Sequence, residues 1–565
     1  MLFDALYTNG TFHTQDVRRP RAHSLGVDNG RIISLDDELP ARYFREVHDL
    51  AGAAVVPGFN DAHCHLSYVG QALIQADLRP AVCATMDDVL AAVERACAAA
   101  PAGAWVQGSG YDQNHLNNQH PTAEQVDAVS HGHPVWLMHN SRHMGVANTA
   151  AFERAGYPDR RNVTAPDGGA APVDADGRAV GLLQETARAL VTHAIPAPTV
   201  DDVAAMVGAG SAALLELGIT SITEPGLGAP AHIGHTLSDL AGYQAARDAG
   251  RLGVRATVMP YLTALHGLGD ELPDGDGGSG EAGSGSGNAV PRLGLDLGMR
   301  SCFGDEWLRL GPAKILSDGS LIGRSAFMCC DYDLDAAQGH SNRGLLQFPA
   351  QELRRRIIGA HAAGWQVATH AIGDAALDVV MDIFEEAQRL HPRPDARHRI
   401  EHVNVASDEQ IRRLASLGLI PVPQGRFINE LGDGAARALG PERTRLSYRV
   451  KALLDAGLEV PASTDAPVVS ADPILNIHDL VNRRTSSGAE FVPEERISVA
   501  QAVRAYSVGS AYAAREEHYK GSLSHGMLAD FVALSEDIYE VPAEAIRNVR
   551  VTATVVGGRL AHGAL

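Results

Sequence analysis

The sequence predicts an α/β protein, with parallel strands through a long middle region and a small β-domain assembled from both chain ends. Three observations carry this. The order helix, glycine, short apolar strand recurs through the middle. Both ends are strand-rich and punctuated by tight-turn dipeptides. The length of 565 residues exceeds one ordinary core, so a large domain with additions is expected.

Taken in order, Asp4-Ala-Leu-Tyr-Thr precedes Asn9-Gly10 and Ser24-Leu-Gly-Val precedes Asn29-Gly30. Asn-Gly supplies the positive φ that two-residue hairpins require. At the other end, Val551-Thr-Ala-Thr-Val-Val runs into Gly557-Gly558. In the middle, a helical pattern over 202–217 stops at Gly218 before Ile219-Thr-Ser-Ile-Thr, and Glu352 to Ala363 stops at Gly364 before Gln366-Val-Ala-Thr-His370. Ser407-Asp-Glu-Gln is a capping-box start, and Gly418 ends that helix before Leu419-Ile-Pro-Val. Ala452 to Ala456 ends at Gly457 before Glu459-Val-Pro-Ala-Ser. Successive units of this kind build a barrel or an open parallel sheet. Residues 68–204 break the rhythm and read as an inserted subdomain. Residues 267–292, rich in Gly, Ser, Asp and Pro, read as a flexible loop. The domains expected are 1–56 with 516–565, 57–67 with 205–515, and the insert.

Hydrophobic residues at 45% and charged residues at 20% are ordinary globular usage. A net charge of −21 argues against a nucleic-acid surface, which needs a basic face. No run of 18 apolar residues exists, so no membrane span is expected. Met1-Leu-Phe-Asp lacks a basic n-region, so no secretion signal is expected. The six cysteines, Cys64, Cys83, Cys97, Cys302, Cys329 and Cys330, include no CxxC pair, and a reducing cytoplasm fits best. Lys314, Lys451 and Lys520 are the only lysines, and arginine supplies the other 44 of the 47 basic residues.

The sharpest local signal is Val55-Val-Pro-Gly-Phe-Asn-Asp-Ala-His63-Cys-His65. Residues i and i+2 of a strand share a face, so two imidazoles converge at its carboxyl end as two ligands of one cation do. The pattern is common, and alone it also reads as a hydrogen-bonded polar pair. His370 and His402 (in Arg399-Ile-Glu-His) and Asp465 (in Glu459-Val-Pro-Ala-Ser-Thr-Asp) each end a short apolar segment as well. In a parallel barrel all carboxyl ends open on one face, and four imidazoles with a carboxylate suit zinc or a similar divalent metal. Lys314, in Gly311-Pro-Ala-Lys-Ile-Leu-Ser-Asp318, is a lysine in a chain that prefers arginine. A neutral lysine amine adds carbon dioxide to form an anionic carbamate, which a guanidinium does not readily do. The plain alternative is a buried or salt-bridged lysine.

These segments together, Pro57-Gly-Phe-Asn-Asp-Ala-His-Cys-His65, Lys314 with Asp318-Gly-Ser320, Thr369-His-Ala-Ile-Gly-Asp374, Ile400-Glu-His402 and Ser463-Thr-Asp-Ala-Pro467, resemble the amidohydrolase superfamily. Within it the chain is similar to the amidohydrolase-3 subgroup, which includes N-substituted formamide deformylases. Gly521-Ser-Leu-Ser-His-Gly-Met-Leu-Ala-Asp530 resembles that family's return into its small β-domain, so the likeness spans nearly the whole length. The resemblance implies a distorted (β/α)8 TIM-type barrel, a small β-sandwich domain from both termini, and one or two divalent metal ions, zinc foremost. His63, His65 and Asp465 then hold the first metal. His370 and His402 hold the second, and carboxylated Lys314 bridges. Asn60 and Cys64 occupy positions where members vary.

The implied reaction is attack of metal-bound hydroxide on an amide or N-formyl C–N bond, with Asp465 as proton shuttle. A zinc-bound water has a pKa near 7 instead of about 15.7, a gap of roughly 9 units, on the order of 12 kcal/mol of deprotonation free energy. Ester or lactone hydrolysis and ring deamination share this metal set. A non-catalytic barrel protein is the reading from another class, and such a descendant is expected to lose ligands that are all present here. His143, in Ser141-Arg-His-Met-Gly-Val-Ala-Asn148, together with Glu185, Asp318 and Arg324, are further substrate-binding candidates. His131, His133 and His139 lack a partner motif and are discounted as a separate metal site. The glycines of Trp105-Val-Gln-Gly-Ser-Gly-Tyr111 read as a turn. The partner expected is a small-molecule substrate, with a homodimer open.

Overall fold

A computed structural model describes residues 2–565 except 81, 118, 140–143, 167–168, 229–235, 237, 269–289 and 338. The chain forms two compact units, one of Met1–Leu66 with Ser211–Leu565 and one of Ser67–Gly210. It is an α/β protein with both parallel and mixed sheets. No helix among the described residues is long and apolar enough to cross a membrane, and all six cysteines are free.

In the first unit the chain ends build two sheets. One has the order Arg31–Leu35, Leu25–Asp28, Phe3–Thr8, Phe44–Asp49. The other runs Arg559–Gly563, Val551–Val556, Phe531–Leu534, Ala54–Pro57, Thr11–His13, Arg21–Ala22. Tyr7, Phe12, Leu25, Ile32, Val55, Phe531 and Val555 share one buried cluster between them. The Tyr7 and Phe531 rings meet edge-on at 4.9 Å. Asn29-Gly30 turns a two-residue hairpin between Asp28 and Arg31, and Gly557-Gly558 does the same between Val556 and Arg559. Asn9-Gly10 departs from expectation. Asn9 takes φ 55°, but the strands on either side enter different sheets, so the turn carries the chain across the core. Gly10 fits a close approach there, because a Cβ would lie 2.9 Å from both Leu50 Cδ1 and Phe12 Cε2 and those side chains would have to shift.

The same unit holds two four-stranded, all-parallel sheets. Their orders are Leu308–Leu310, Arg255–Pro260, Ile219–Leu227, Phe59–Asp61, and Ala313–Leu316, Val367–Ala371, Arg399–His402, Ile420–Val422. Parallel bridges Tyr261↔Lys314 and Gln424↔Ser463 continue the pairing beyond them. So do hydrogen bonds from Ala62 N to Ala462 O (3.0 Å) and from Asp465 N to His63 O (2.7 Å). Helices Val200–Glu216, Ala350–Ala362, Asp408–Ser416 and Val450–Asp455 lead into this region. The glycine after each, Gly218, Gly364, Gly418 and Gly457, has φ between 62° and 90°, the left-handed cap expected. Ser407 caps its helix with Gln410 reciprocating. The strand expected over 459–463 reduces to the single bridge at Ser463. Pro461 has no N–H to give a ladder, and Asp465 at φ 61° turns the chain away. Bidentate bonds from Arg255 to Asp530 (2.7 and 3.0 Å), both buried, tie the parallel region to the terminal strands.

A buried histidine chain also lies in this unit. Val367 N–H donates to His398 Nδ1 (3.0 Å), His398 Nε2 faces His361 Nδ1 (2.7 Å), and His361 Nε2 donates to His391 O (2.6 Å). Each ring therefore needs one bare nitrogen, and burial depresses both pKa values, His398 far below the ordinary value. A depressed folded pKa means stability that is complete above the unfolded value of about 6.5 and is lost as pH falls below it. The urea midpoint is expected to drop between pH 7.5 and 5.5, with His398 the larger contributor of the two. A midpoint that holds or rises on acidification contradicts this.

The second unit carries a six-stranded sheet, Gly169–Ala170, Leu182–Glu185, Met144–Ala147, Val135–His139, Val106–Tyr111, Ala76–Asp77. Residues 106–111, expected as a turn, form an inner strand. Gly108 serves close packing, since a Cβ there would lie 2.7 Å from Leu78 and 3.1 Å from Leu137. Of the flexible loop expected over 267–292, residues 269–289 lie outside the described residues, and its arms pair through His266↔Gly294 and Gly267↔Leu293.

Candidate metal centre and active-site cavity

His63, His65, Lys314, His370, His402 and Asp465 all line one cavity of about 300 Å³ in the first unit. His63 and His65 do not converge as i and i+2 of a strand, because the strand ends at Asp61. Buried carboxylate and backbone bonds aim them instead. Asp61 Oδ1 accepts the N–H groups of His63 (3.0 Å) and Thr464 (3.1 Å), and its Oδ2 accepts Thr464 Oγ1–H (2.5 Å). His65 N–H donates to Ala466 O (2.8 Å). Burial raises the Asp61 pKa to about 6, with the Thr464 and His63 hydrogen bonds opposing. Asp61 thus links the segments that carry His63, His65 and Asp465.

His63 Nε2 and His65 Nε2 each lie 3.3 Å from Asp465 Oδ1. Among the described residues these three form the one group with metal-ligating atoms within 4.8 Å of one another. The His402 ring sits 5.1 Å from His63 and 4.5 Å from His370. Each imidazole has one nitrogen engaged by a group outside the His63, His65 and Asp465 cluster. His63 Nδ1 bonds Glu401 Oε2, and His402 Nδ1 bonds Gln424 Oε1 (2.8 Å). His370 Nε2 faces Gly319 O (3.1 Å) and Asp318 (3.3 Å), and His65 Nδ1 lies 3.4 Å from Glu224. Such outer partners set the tautomer and leave the second nitrogen as a lone pair for a cation. Burial disfavours the His65 imidazolium, but Asp465 and Glu224 outweigh it and bring the ring to about 9 with protein groups alone around it. Asp465 is held well below the carboxylate range; its burial opposes this, and His63, His65 and His402 prevail.

Lys314 distinguishes itself from the other two lysines. Lys451 pairs with Asp455 on the surface, and Lys520 is buried against Glu516 (2.5 Å) and Ser221. Lys314 Nζ is buried with no hydrogen-bond partner. Burial lowers its pKa to about 8, with Glu401 and Asp465 resisting. At pH 7 roughly a tenth of such a group is neutral amine, against roughly one part in 3,000 at the ordinary value of about 10.5.

The remaining candidates diverge. Asp318 lines the cavity but is fully buried, and its carboxylate accepts N–H bonds from Ile372 (3.1 Å), Gly373 (2.8 Å) and Phe327 (3.0 Å), which suits it to hold the loop around His370. Arg324 is not among the lining residues and pairs with Asp335 (3.1 Å). His143 and the side chain of Glu185 lie outside the described residues. His133 is engaged by Ala104 O (2.8 Å), and His131 is exposed near Glu94. Asp61, Glu224, Arg399, Glu401 and Gln424 were not singled out from sequence. Asp61, Arg399 and Glu401 had a signal in their places inside the segments that carry His63 and His402, whereas Glu224 and Gln424 had none.

A family profile described as the amidohydrolase family matches residues 46–562. Protein LONG AFTER FAR-RED 3 of Arabidopsis thaliana is 30% identical over 569 residues, 98% of this chain and 91% of the relative. N-substituted formamide deformylase of Arthrobacter pascens is 28% identical over 566 residues, 99% of this chain and 98% of the relative. Among solved structures, an uncharacterized metal-dependent hydrolase from Pyrococcus furiosus superposes with a TM-score of 0.72 at 27% identity, covering 95% of this chain and 100% of that one. With a match of this extent, the chain belongs to the amidohydrolase family, in its amidohydrolase-3 subgroup, and is a hydrolase.

Proposed function

We propose that this chain is a metal-dependent hydrolase that cleaves the C–N bond of an amide or N-formyl compound. The observation that carries the reading is the meeting of six side chains, distant in sequence, at one cavity, with a buried lysine amine among them that no protein group satisfies. The two parallel sheets are read as one closed (β/α)8 barrel, supported by the links through Tyr261↔Lys314, Gln424↔Ser463 and Asp465 to His63. The sheets of the terminal segments are read as its β-sandwich companion.

His63, His65 and Asp465 are one ligand set and His370 and His402 a second, with zinc the metal that such donors suit best. Lys314, in its neutral form, would add carbon dioxide with loss of one proton, and the carbamate would supply anionic oxygen to hold the cations. A bound divalent cation supplies Lewis-acid polarisation of the carbonyl and lowers the pKa of a water. Glu401 and Gln424 hold His63 and His402 in their tautomers. Asp465, ionised by its neighbours, accepts the proton of the attacking water and delivers it to the leaving nitrogen, so that the carboxyl product and the amine separate.

The purified protein is expected to contain one to two equivalents of zinc, manganese or iron. Prolonged chelation should abolish hydrolysis of N-formyl amines and readdition of the metal should restore it. A fully active protein without metal contradicts the reading. Turnover confined to esters, lactones or ring amines moves the reaction class without moving the site.

A further inference from the structure

We propose that Asn404 and Tyr448 form a donor–acceptor pair that recognises the amide group of a neutral secondary amide bearing an apolar substituent. This rests on the hydrolase reading above and deepens it by naming the substrate class. Both residues line the same cavity as Lys314 and the histidines, and both are 1% exposed. Asn404 Oδ1 and the Tyr448 hydroxyl are buried, and neither has a hydrogen-bond partner. Folded proteins pair nearly all such groups, so two unpaired ones in one cavity point to a ligand that completes them. One is an acceptor and the other a donor, since burial pushes the Tyr448 phenol above its ordinary range and keeps its proton. A secondary amide presents the complement, an N–H and a C=O.

The two residues are also fixed relative to each other. Tyr448 N–H donates to Asn404 O (2.9 Å), and Tyr448 O accepts Arg483 Nη1–H (2.9 Å). The Tyr448 ring packs between Phe427 (6.3 Å) and Phe491 (5.7 Å), so its hydroxyl has little freedom. Asn404 follows His402 by two residues and lines the same cavity as the histidines. Tyr448 donates to the carbonyl oxygen, and the bond strengthens as that oxygen gains charge on attack. Asn404 accepts the N–H, a contact that an ester or a tertiary amide does not offer. Leu321, Ile322, Phe427, Leu431 and Val468 give the cavity an apolar face, with Ser320 and Gln347 the uncharged polar residues beside it. Among the described lining residues Lys314 is the only lysine or arginine. Among the described residues a substituent carrying a carboxylate therefore finds no cation beyond Lys314, and an alkyl or aryl group suits the apolar face.

The test is calorimetric binding to the full-length Asp465→Asn protein, in which turnover is suppressed, with N-hexylformamide, hexyl formate and N-hexyl-N-methylformamide. The secondary formamide is expected to bind at least about tenfold more tightly than the other two, the discrimination a missing hydrogen-bond partner imposes at a buried polar site. Adding Asn404→Leu, or Asn404→Ala where leucine lowers the melting temperature, should erase that preference while leaving hexyl formate unchanged. Adding Tyr448→Phe should weaken all three about equally, because all three have the carbonyl. Absence of the preference, its survival in both Asn404 variants, or no effect of Tyr448→Phe overturns the pair. Wild-type turnover is read separately. Preference without metal-dependent hydrolysis leaves the recognition pair standing and removes the hydrolytic reading, and hydrolysis without preference does the reverse.

Discussion

Asp465→Asn is expected to lower kcat by at least about 10³-fold while the protein stays folded, the upper part of the range for loss of a positioned acid–base group. Asparagine keeps the shape of the side chain and tolerates the left-handed backbone at φ 61° better than most residues. The backbone bonds from Asp465 N to His63 O and from Val468 N to Asp465 O are untouched. The stability change should therefore be modest, below about 2 kcal/mol. What disappears is the negative oxygen 3.3 Å from both His63 Nε2 and His65 Nε2. Metal content, melting temperature and kcat measured on one preparation separate the outcomes. Lost turnover with metal retained supports the proton-transfer role. Lost turnover with lost metal assigns Asp465 chiefly to holding the cation, and unchanged turnover removes it from both.

Glu401→Gln is expected to have the largest effect on stability. Glu401 and Arg399 are fully buried and joined by two bonds, Nε to Oε1 (2.8 Å) and Nη2 to Oε2 (2.9 Å), while Arg399 Nη2 also donates to Ala62 O (2.6 Å). Glu401 is held far below its ordinary pKa; burial opposes this, and Arg399, His63 and Lys314 overcome it. Removing the carboxylate charge leaves the guanidinium uncompensated, which in buried pairs costs about 3–5 kcal/mol. The same change loosens His63, whose Nδ1 bonds Glu401, and loss of such an outer partner weakens metal binding about 10- to 100-fold. Urea unfolding and metal titration check the two effects independently. Wild-type values in both would show that Glu401 is dispensable.

Much of the site was legible because several metal-ligating residue types recur together at the ends of short apolar segments. His63, His65, His370, His402 and Asp465 each follow a short apolar run, and Lys314 stands out against a background of arginine. The supporting residues were not legible. Asp61, Glu401 and Gln424 are acidic or amide residues of the kind any loop contains, and what makes them important is a partner 403, 338 and 22 positions away, respectively. Asn404 and Tyr448 are harder still, since their signal is a missing partner, which only a packed environment can reveal.

The sequence by itself determined the α/β character, the glycine-capped order of helices and strands, the hairpins at Asn29-Gly30 and Gly557-Gly558, and six of the side chains that line the cavity. All of these rest on local chemistry, namely φ preference, apolar periodicity and ligand type. Tertiary structure alone decided that Asn9-Gly10 crosses between sheets, that 459–463 does not form a full strand, that residues 106–111 are a strand, and that Arg324 faces Asp335. It also decided how His63 and His65 converge, through Asp61 and Ala466 after their strand has ended. The physical reason is common to these cases. Desolvation and close packing depend on what lies across the core, and neighbours along the chain carry no record of it.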